Sequence, residues 1–415
     1  MTNSETEVAI IGGGAAGIAA GRRLRAARVD CLVIEARARL GGRAWTMTDA
    51  SGSALDLGCG WLHSADRNPW VSVAEQQGRN VDRTPPPWIK PALPIRFPLD
   101  QQQDFHKAMD ALYDRLEAML AKGGDIPAAD ALEPGGRWNN LLTAVATYIS
   151  GAELSGMSGR DFINYQDSEV NWSVIEGLGM TIAAAGADLR TALETPVSQI
   201  DHSGRRLKIK TPKGTITADQ AIVTLPTALL ADDEHLFSPA LPDKMQAARG
   251  LPLGLADKLF IALADAKEFE PNSRVFGHTD RVATASYQIR PFGRPMIEAY
   301  YGGGHAAALE AEGAHAFFDF ALSELTALFG SGFARRLTPI HMHRWGADPF
   351  ARGSYSYALP GMADCRAALA APVNGRLFFA GEACSRGNFS TAHGGWFTGV
   401  AAADQAIALR QGMQV

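Results

Sequence analysis

The stretch EVAIIGGGAAGIAAGRRLRAARVDCLVIEA, Glu7–Ala36, constrains this chain more than any other. Val8 to Ile11 form a short apolar run suited to a buried parallel strand. Gly12, Gly14 and Gly17 fit G-x-G-x-x-G, and Ile18 to Ala27 read as helix. In such a strand, turn and helix, Gly12 allows the tight turn and Gly14 lets backbone approach a pyrophosphate. Gly17 allows the helix to pack closely on the strand. The free N–H groups at the helix start then favour phosphate charge. A second apolar run, Cys31 to Ile34, ends in Glu35, where a carboxylate can accept hydrogen bonds from a ribose and disfavours a 2′-phosphate. A glycine triplet alone also serves plain chain reversal. Flanked by two strands and the acid, it specifies a dinucleotide-binding unit.

The next residues, RARLGGR from Arg37 to Arg43, add the pair Gly41 and Gly42 and three arginines close to the phosphate site. They resemble the extended motif of two-dinucleotide-domain flavoproteins, which implies FAD rather than a nicotinamide as the bound dinucleotide.

A chain of 415 residues is too long for one ordinary core, so two or three domains are expected. Basic and acidic residues number 39 and 44 without long blocks, which gives no footprint for nucleic acid or an anionic membrane. Cys31, Cys59, Cys365 and Cys384 lie far apart. That spacing fits a reducing compartment and small core residues, and argues against a metal knuckle or disulfide frame. The start MTNSETEVAIIGGG lacks the basic opening and cleavage site of a signal peptide, and no apolar run approaches 18 residues. A cytoplasmic protein with no membrane anchor is expected. Monomer and homodimer both stay open.

Farther along, a helix is expected near Pro69, and the proline-dense stretch Arg83 to Pro98 reads as a crossing between domains. Phe105, Met109, Leu112, Leu116 and Leu120 recur at helical spacing between Gln101 and Lys122 and read as core packing, with another helix at Leu141 to Ile149. RLKIKTPKGTITADQAIVTLP reads as a hairpin followed by a buried strand, Ala221 to Leu225. A helix over Ala306 to Phe329 and a last strand within Gly375 to Ala383 complete the pattern. The order alternates between two domains. Residues 1–82, 193–251 and 358–415 are expected to form the dinucleotide-binding domain, and 83–192 and 252–357 the other.

The final run, LFFAGEACSRGNFSTAHGGWFTGVAAADQA, is similar to the C-terminal signature of the flavin-containing amine oxidase family. AIIGGGAAG, VIEARARLGGR, GCGWLHSADRNP, PVSQID, IVTLP, LPLGLADKL and WGADPFARGSYSYALPG fall in that family's order. The resemblance implies an α/β fold: an FAD-binding Rossmann-like domain interleaved with an α+β substrate-binding domain. It also implies FAD contacts from Gly12, Gly14, Gly17, Glu35, Arg37, Gly42, Arg43, Gly60, Trp61 and Val197. At the chain's end, Glu382 would bond the ribityl hydroxyls, and Thr391 and Ala392 would meet the flavin at a helix N-terminus.

For chemistry the resemblance implies hydride transfer from the carbon beside an amine nitrogen to the flavin, with O2 as final acceptor and hydrogen peroxide as product. Trp396 and Tyr355, or Tyr357 if the alignment across that loop slips, would be paired aromatics beside the flavin. Lys258 would assist O2, and His63 in its W-x-H context would contact the amine, as in polyamine oxidases. Ser354 stands where monoamine oxidases carry a flavin-linking cysteine, so noncovalent FAD is expected. The substrate class indicated is a polyamine or other secondary amine, with Asp167 and Glu169 available to attract a distal ammonium. An L-amino-acid oxidase would need a buried arginine for the substrate carboxylate, and Arg281, Arg290 and Arg294 do not single one out. A dehydrogenase with another electron acceptor and a flavin-bearing sensing module complete the alternatives.

Overall fold

A computed structural model describes residues 4–412. The first and last three residues, the opening of the N-terminal stretch read above among them, lie outside the described residues. The strand Ser4–Ile11 is completely buried over Val8 to Ile10 and pairs in parallel with Gly214–Val223 on one side and Cys31–Ile34 on the other. Continuous apolar runs of this kind are what a strand covered on both faces requires. Leu377–Phe379 joins in parallel beyond Gly214–Val223, and the antiparallel hairpin from Leu207 to Val223 extends the same eight-stranded sheet.

The helix Ala15–Ala26 and the last helix, Ala392–Arg410, pack together over this sheet. Their contact depends on small residues: a Cβ on Gly399 would run into the carbonyl oxygen of Ala16. A second sheet, with strand order 273–276, 286–289, 296–302, 256–263 and 337–342, is wholly antiparallel. It is backed by Gly303–Glu312 and Ala314–Phe329. A helical layer formed by Leu99–Leu120 and Asn139–Ser150 closes one end around Phe97, Phe105, Leu112, Leu116 and Leu141. The architecture is the α/β Rossmann-like domain interleaved with an α+β domain that the motifs imply.

Three details differ from the sequence reading. The hairpin's second strand and the buried strand at Ala221 are one continuous ten-residue strand, because nothing in GTITADQAIV interrupts the extended backbone. The helix expected over 306–329 breaks at Gly313, whose φ of +113° lies outside helical space. The boundary set at 193 is too late. Thr191–Ala192 already pairs with Cys31–Ile34, and Leu178–Ala184 packs on the first helix, because Leu178, Ile182 and Leu189 complete that core.

Candidate active site

A cavity of about 1160 Å³ runs from Gly12 and Gly14, past Gly60, Lys258 and Tyr355, to Phe105 and Tyr113. Its first part is shaped by backbone. Gly12 holds φ at +105°, and a side chain there would meet Thr224 Oγ1 at 2.5 Å. A Cβ on Gly17 would collide with the carbonyl oxygen of Gly12, so only glycine lets the helix seat on the turn. At Gly14 a Cβ would have only Gly41 and Gly42 for neighbours, at 3.9 Å, and would project into the cradle itself. The loop at Gly41 and Gly42 folds back over that cradle, the Gly41 N–H donating to Gly13 O at 2.8 Å.

Glu35 is buried and accepts from the Gly13 and Arg37 N–H groups at 2.6 and 2.8 Å, one on each carboxylate oxygen. Lone pairs remain on both oxygens for a ribose. Arg37 forks onto Asp348 at 2.9 and 2.7 Å, and His343 bonds the same carboxylate. Arg43 donates to Glu382 Oε1 at 3.0 Å and to Ser354 O at 2.5 Å. Burial would raise the Glu382 carboxyl, but Arg43 and Arg366 beside it, with bonds from Ser356 and the Ser390 N–H, hold it below the ordinary carboxylate range. Val197, Gly60, Trp61, Thr391 and Ala392 line the cavity too. Thr391 caps the last helix by accepting from the Gly394 N–H, which leaves the first helical N–H groups directed at the cavity wall. A glycine cradle, a buried acid for a ribose and a helix start for a negatively charged ring edge are a donor set that fits FAD.

The second part is walled by aromatic rings. Lys258 Nζ donates to Asp56 O and reaches Glu298 Oε1, each at 3.0 Å, and is nearly buried. Tyr355 faces the cavity and donates to Tyr148 O at 2.5 Å, whereas Tyr357 packs into the helical cluster. Of the two tyrosines, Tyr355 is the one that lines the cavity. His63 Nδ1 lies 2.6 Å from Asn171 Oδ1, and with that oxygen as acceptor Nδ1 carries the proton and Nε2 keeps its lone pair. Burial pulls its pKa below the usual histidine value.

Trp396 is not part of this wall. Along Ala392–Arg410, Ala392 and Gly395 line the cavity but Trp396 does not. Its ring packs edge-on against Trp70 with ring centroids 4.8 Å apart, and Arg22 lies 5.9 Å from it. The wall contains instead Trp61, Trp88, Tyr300, Phe389 and Tyr165, together with Phe105 and Met109, whose expected role was core packing. The i, i+4 spacing of Phe105 and Met109 showed a common face but not what that face meets. Asp167 and Glu169 line the cavity; Arg281, Arg290 and Arg294 do not, while Arg274 does. Cys59 lines it as well, with its thiol pushed up to about 12 by burial.

No described helix is long and apolar enough to cross a membrane. The family description "Flavin containing amine oxidoreductase" matches residues 135–407, and "NAD(P)-binding Rossmann-like domain" matches 10–75. Polyamine oxidase 4 of Oryza sativa subsp. japonica is 28% identical over 97% of this chain and 88% of its own length. The human lysine-specific histone demethylase 2 is 26% identical over 97% of this chain and 53% of its own. A putrescine oxidase solved bound to putrescine superposes with a TM-score of 0.77 at 19% identity, covering 98% of this chain and all of that one. The chain belongs to the flavin containing amine oxidoreductase family and is an FAD-dependent amine oxidoreductase.

Proposed function

We propose that this enzyme oxidises a polyamine or other secondary amine with noncovalently held FAD and passes the electrons to O2. The observation that carries this is the continuity of the cavity, which leads from the glycine cradle past Lys258 straight into an aromatic chamber at Tyr355. FAD, when bound, supplies the acceptor for a hydride leaving the carbon beside the nitrogen. The protein's part is to deliver a neutral amine, since an ammonium has no lone pair with which to form the C=N bond as hydride departs.

Moving an amine from roughly 10.4 to about 7.5 corresponds to roughly 4 kcal/mol, which a water-poor aromatic chamber supplies by disfavouring charge. Neutral His63 offers Nε2 to the amine N–H and orients it. Tyr355, fixed by its bond to Tyr148, holds the substrate against one wall. The ammonium departing from the bulk state leaves its proton with water, and hydrolysis of the imine gives a carbonyl compound and a shorter amine. O2 takes up the two electrons with two protons as hydrogen peroxide, and Lys258, held by Asp56 and Glu298, is the cation positioned to assist. The residues assigned here to FAD would hold it in two parts, Gly12 to Arg43 at its phosphates and Glu382 to Ala392 at its ring end. We further assign the first sheet, with 178–192 included, to FAD binding and the second sheet with its helices to the substrate.

Mixing the enzyme with polyamines and N-methylated alkylamines in air should yield one peroxide per carbonyl formed. Turnover only with an artificial acceptor would replace the oxidase by a dehydrogenase. No consumption of any amine would reject the reading.

A further inference from the structure

The face of the second sheet that floors the cavity carries an unanswered charge. In register, Lys258 lies opposite Tyr300, Tyr300 opposite Ser286 and Ser286 opposite Phe276. One step along, Gln288 lies opposite Arg274. Alternate residues of paired strands share a face, and Lys258, Tyr300, Ser286, Phe276, Gln288 and Arg274 all line the cavity. Lys258 is neutralised by Glu298 at 3.0 Å. Arg274 is not neutralised: among the described residues no carboxylate lies within ion-pair distance of it. Its Nε is buried without a hydrogen-bond partner, and its guanidinium carbon lies over the Phe276 ring, 5.0 Å from the centroid. Burial pulls its pKa down to about 10 with no acidic group to offset it.

We propose that Arg274 anchors the carboxylate of the substrate, and that the enzyme takes amines bearing an acid group several carbons away from the nitrogen that is oxidised. This rests on the amine-oxidase reading and selects within it. A half-buried guanidinium whose Nε is buried without a partner is costly, and a carboxylate matches its fork with two parallel hydrogen bonds. A polyamine would set an ammonium in its place. A dianionic phosphate would call for further cations, whereas among the six described residues of this sheet face that line the cavity the only other charge is Lys258, already paired. The spacing follows from the register. Arg274 sits three strands from Lys258, roughly 14 Å across the sheet, too far for the carboxylate of an α-amino acid whose reacting carbon lies at the Lys258 end of the cavity. No atom of Arg274 joins the bond changes, so it is a specificity residue.

Calorimetric titration of the holoenzyme with hexanoate and with hexanamide tests this without turnover. Hexanoate should bind about tenfold to a hundredfold more tightly, as a charge-assisted bond to a buried partner implies. Arg274→Gln should bring the two ligands within about threefold of each other, and Arg274→Lys should keep part of the preference. Equal affinities in the native enzyme, no binding of hexanoate, or a preference that survives Arg274→Gln would overturn the proposal; the comparison on native enzyme decides even if the variants do not fold. Anaerobic exposure of the same preparation to N-methylbutylamine separates the two readings. Flavin bleaching without a carboxylate preference removes the anchor and keeps amine oxidation, while a carboxylate preference without bleaching by any amine keeps the anchor and removes the oxidation.

Discussion

The two ends of the cavity are built on different principles. At the cradle, the backbone is the ligand: Gly12, Gly14 and Gly17 lie within six consecutive residues, and their spacing fixes their geometry. At the aromatic chamber, side chains from 61–63, 88, 105–113, 148, 258, 300, 355 and 389 converge from segments far apart in the chain. A local motif therefore specifies the first end, and only tertiary packing specifies the second.

The sharpest way to break the contrast is at the cradle. Gly17→Ala drives a methyl into the Gly12 carbonyl and should cost about 3 kcal/mol or more, read as a large drop in melting temperature even without FAD. Gly14→Ala should leave the apoprotein folded, since its Cβ meets nothing nearer than 3.9 Å, yet abolish retention of FAD through gel filtration. If both variants simply unfold, the cradle is a packing feature and not a binding surface.

At the chamber, Lys258→Met should slow reoxidation by at least tenfold while leaving anaerobic reduction nearly unchanged; stopped-flow absorbance showing equal slowing of both would remove the role given to Lys258. His393, on the last helix, is fully buried and unpartnered at Nε2, with its pKa lowered to about 4 by burial. A base whose folded pKa lies below its unfolded value contributes stability above about 6.5 and loses it as pH falls toward 4. Acidification over that window should therefore cost on the order of 2 kcal/mol, and His393→Gln should flatten the decline in melting temperature. Smallest of all, Trp396→Phe should lower stability by about 1 kcal/mol through its weakened edge contact with Trp70.

The same contrast explains what the sequence made legible. Apolar run, glycine spacing and Glu35 announce the first domain because strand, turn and acid are local. The segment 178–192 escaped that domain because its pairing with Cys31–Ile34 spans more than 150 residues and its two-residue strand has no periodicity. The place of Trp396 on a helix is local, but its neighbours are not: with Gly395 and Gly399 seated against Ala15 and Ala16, its ring meets Trp70 and Arg22 and not the cavity. Arg274 carries no local signal at all. Its significance lies in the partner that three neighbouring strands fail to provide.

The central claim is that the chamber at Tyr355, and not the Trp396 side of the last helix, receives the amine. Anaerobic stopped-flow reduction of the bound flavin by an amine, compared between native enzyme, Tyr355→Ala and Trp396→Phe, measures it directly. Bleaching is expected in the native enzyme, slowed at least tenfold by Tyr355→Ala and changed less than twofold by Trp396→Phe. A native enzyme that no amine bleaches, or a Trp396→Phe variant slowed as much as Tyr355→Ala, would contradict it.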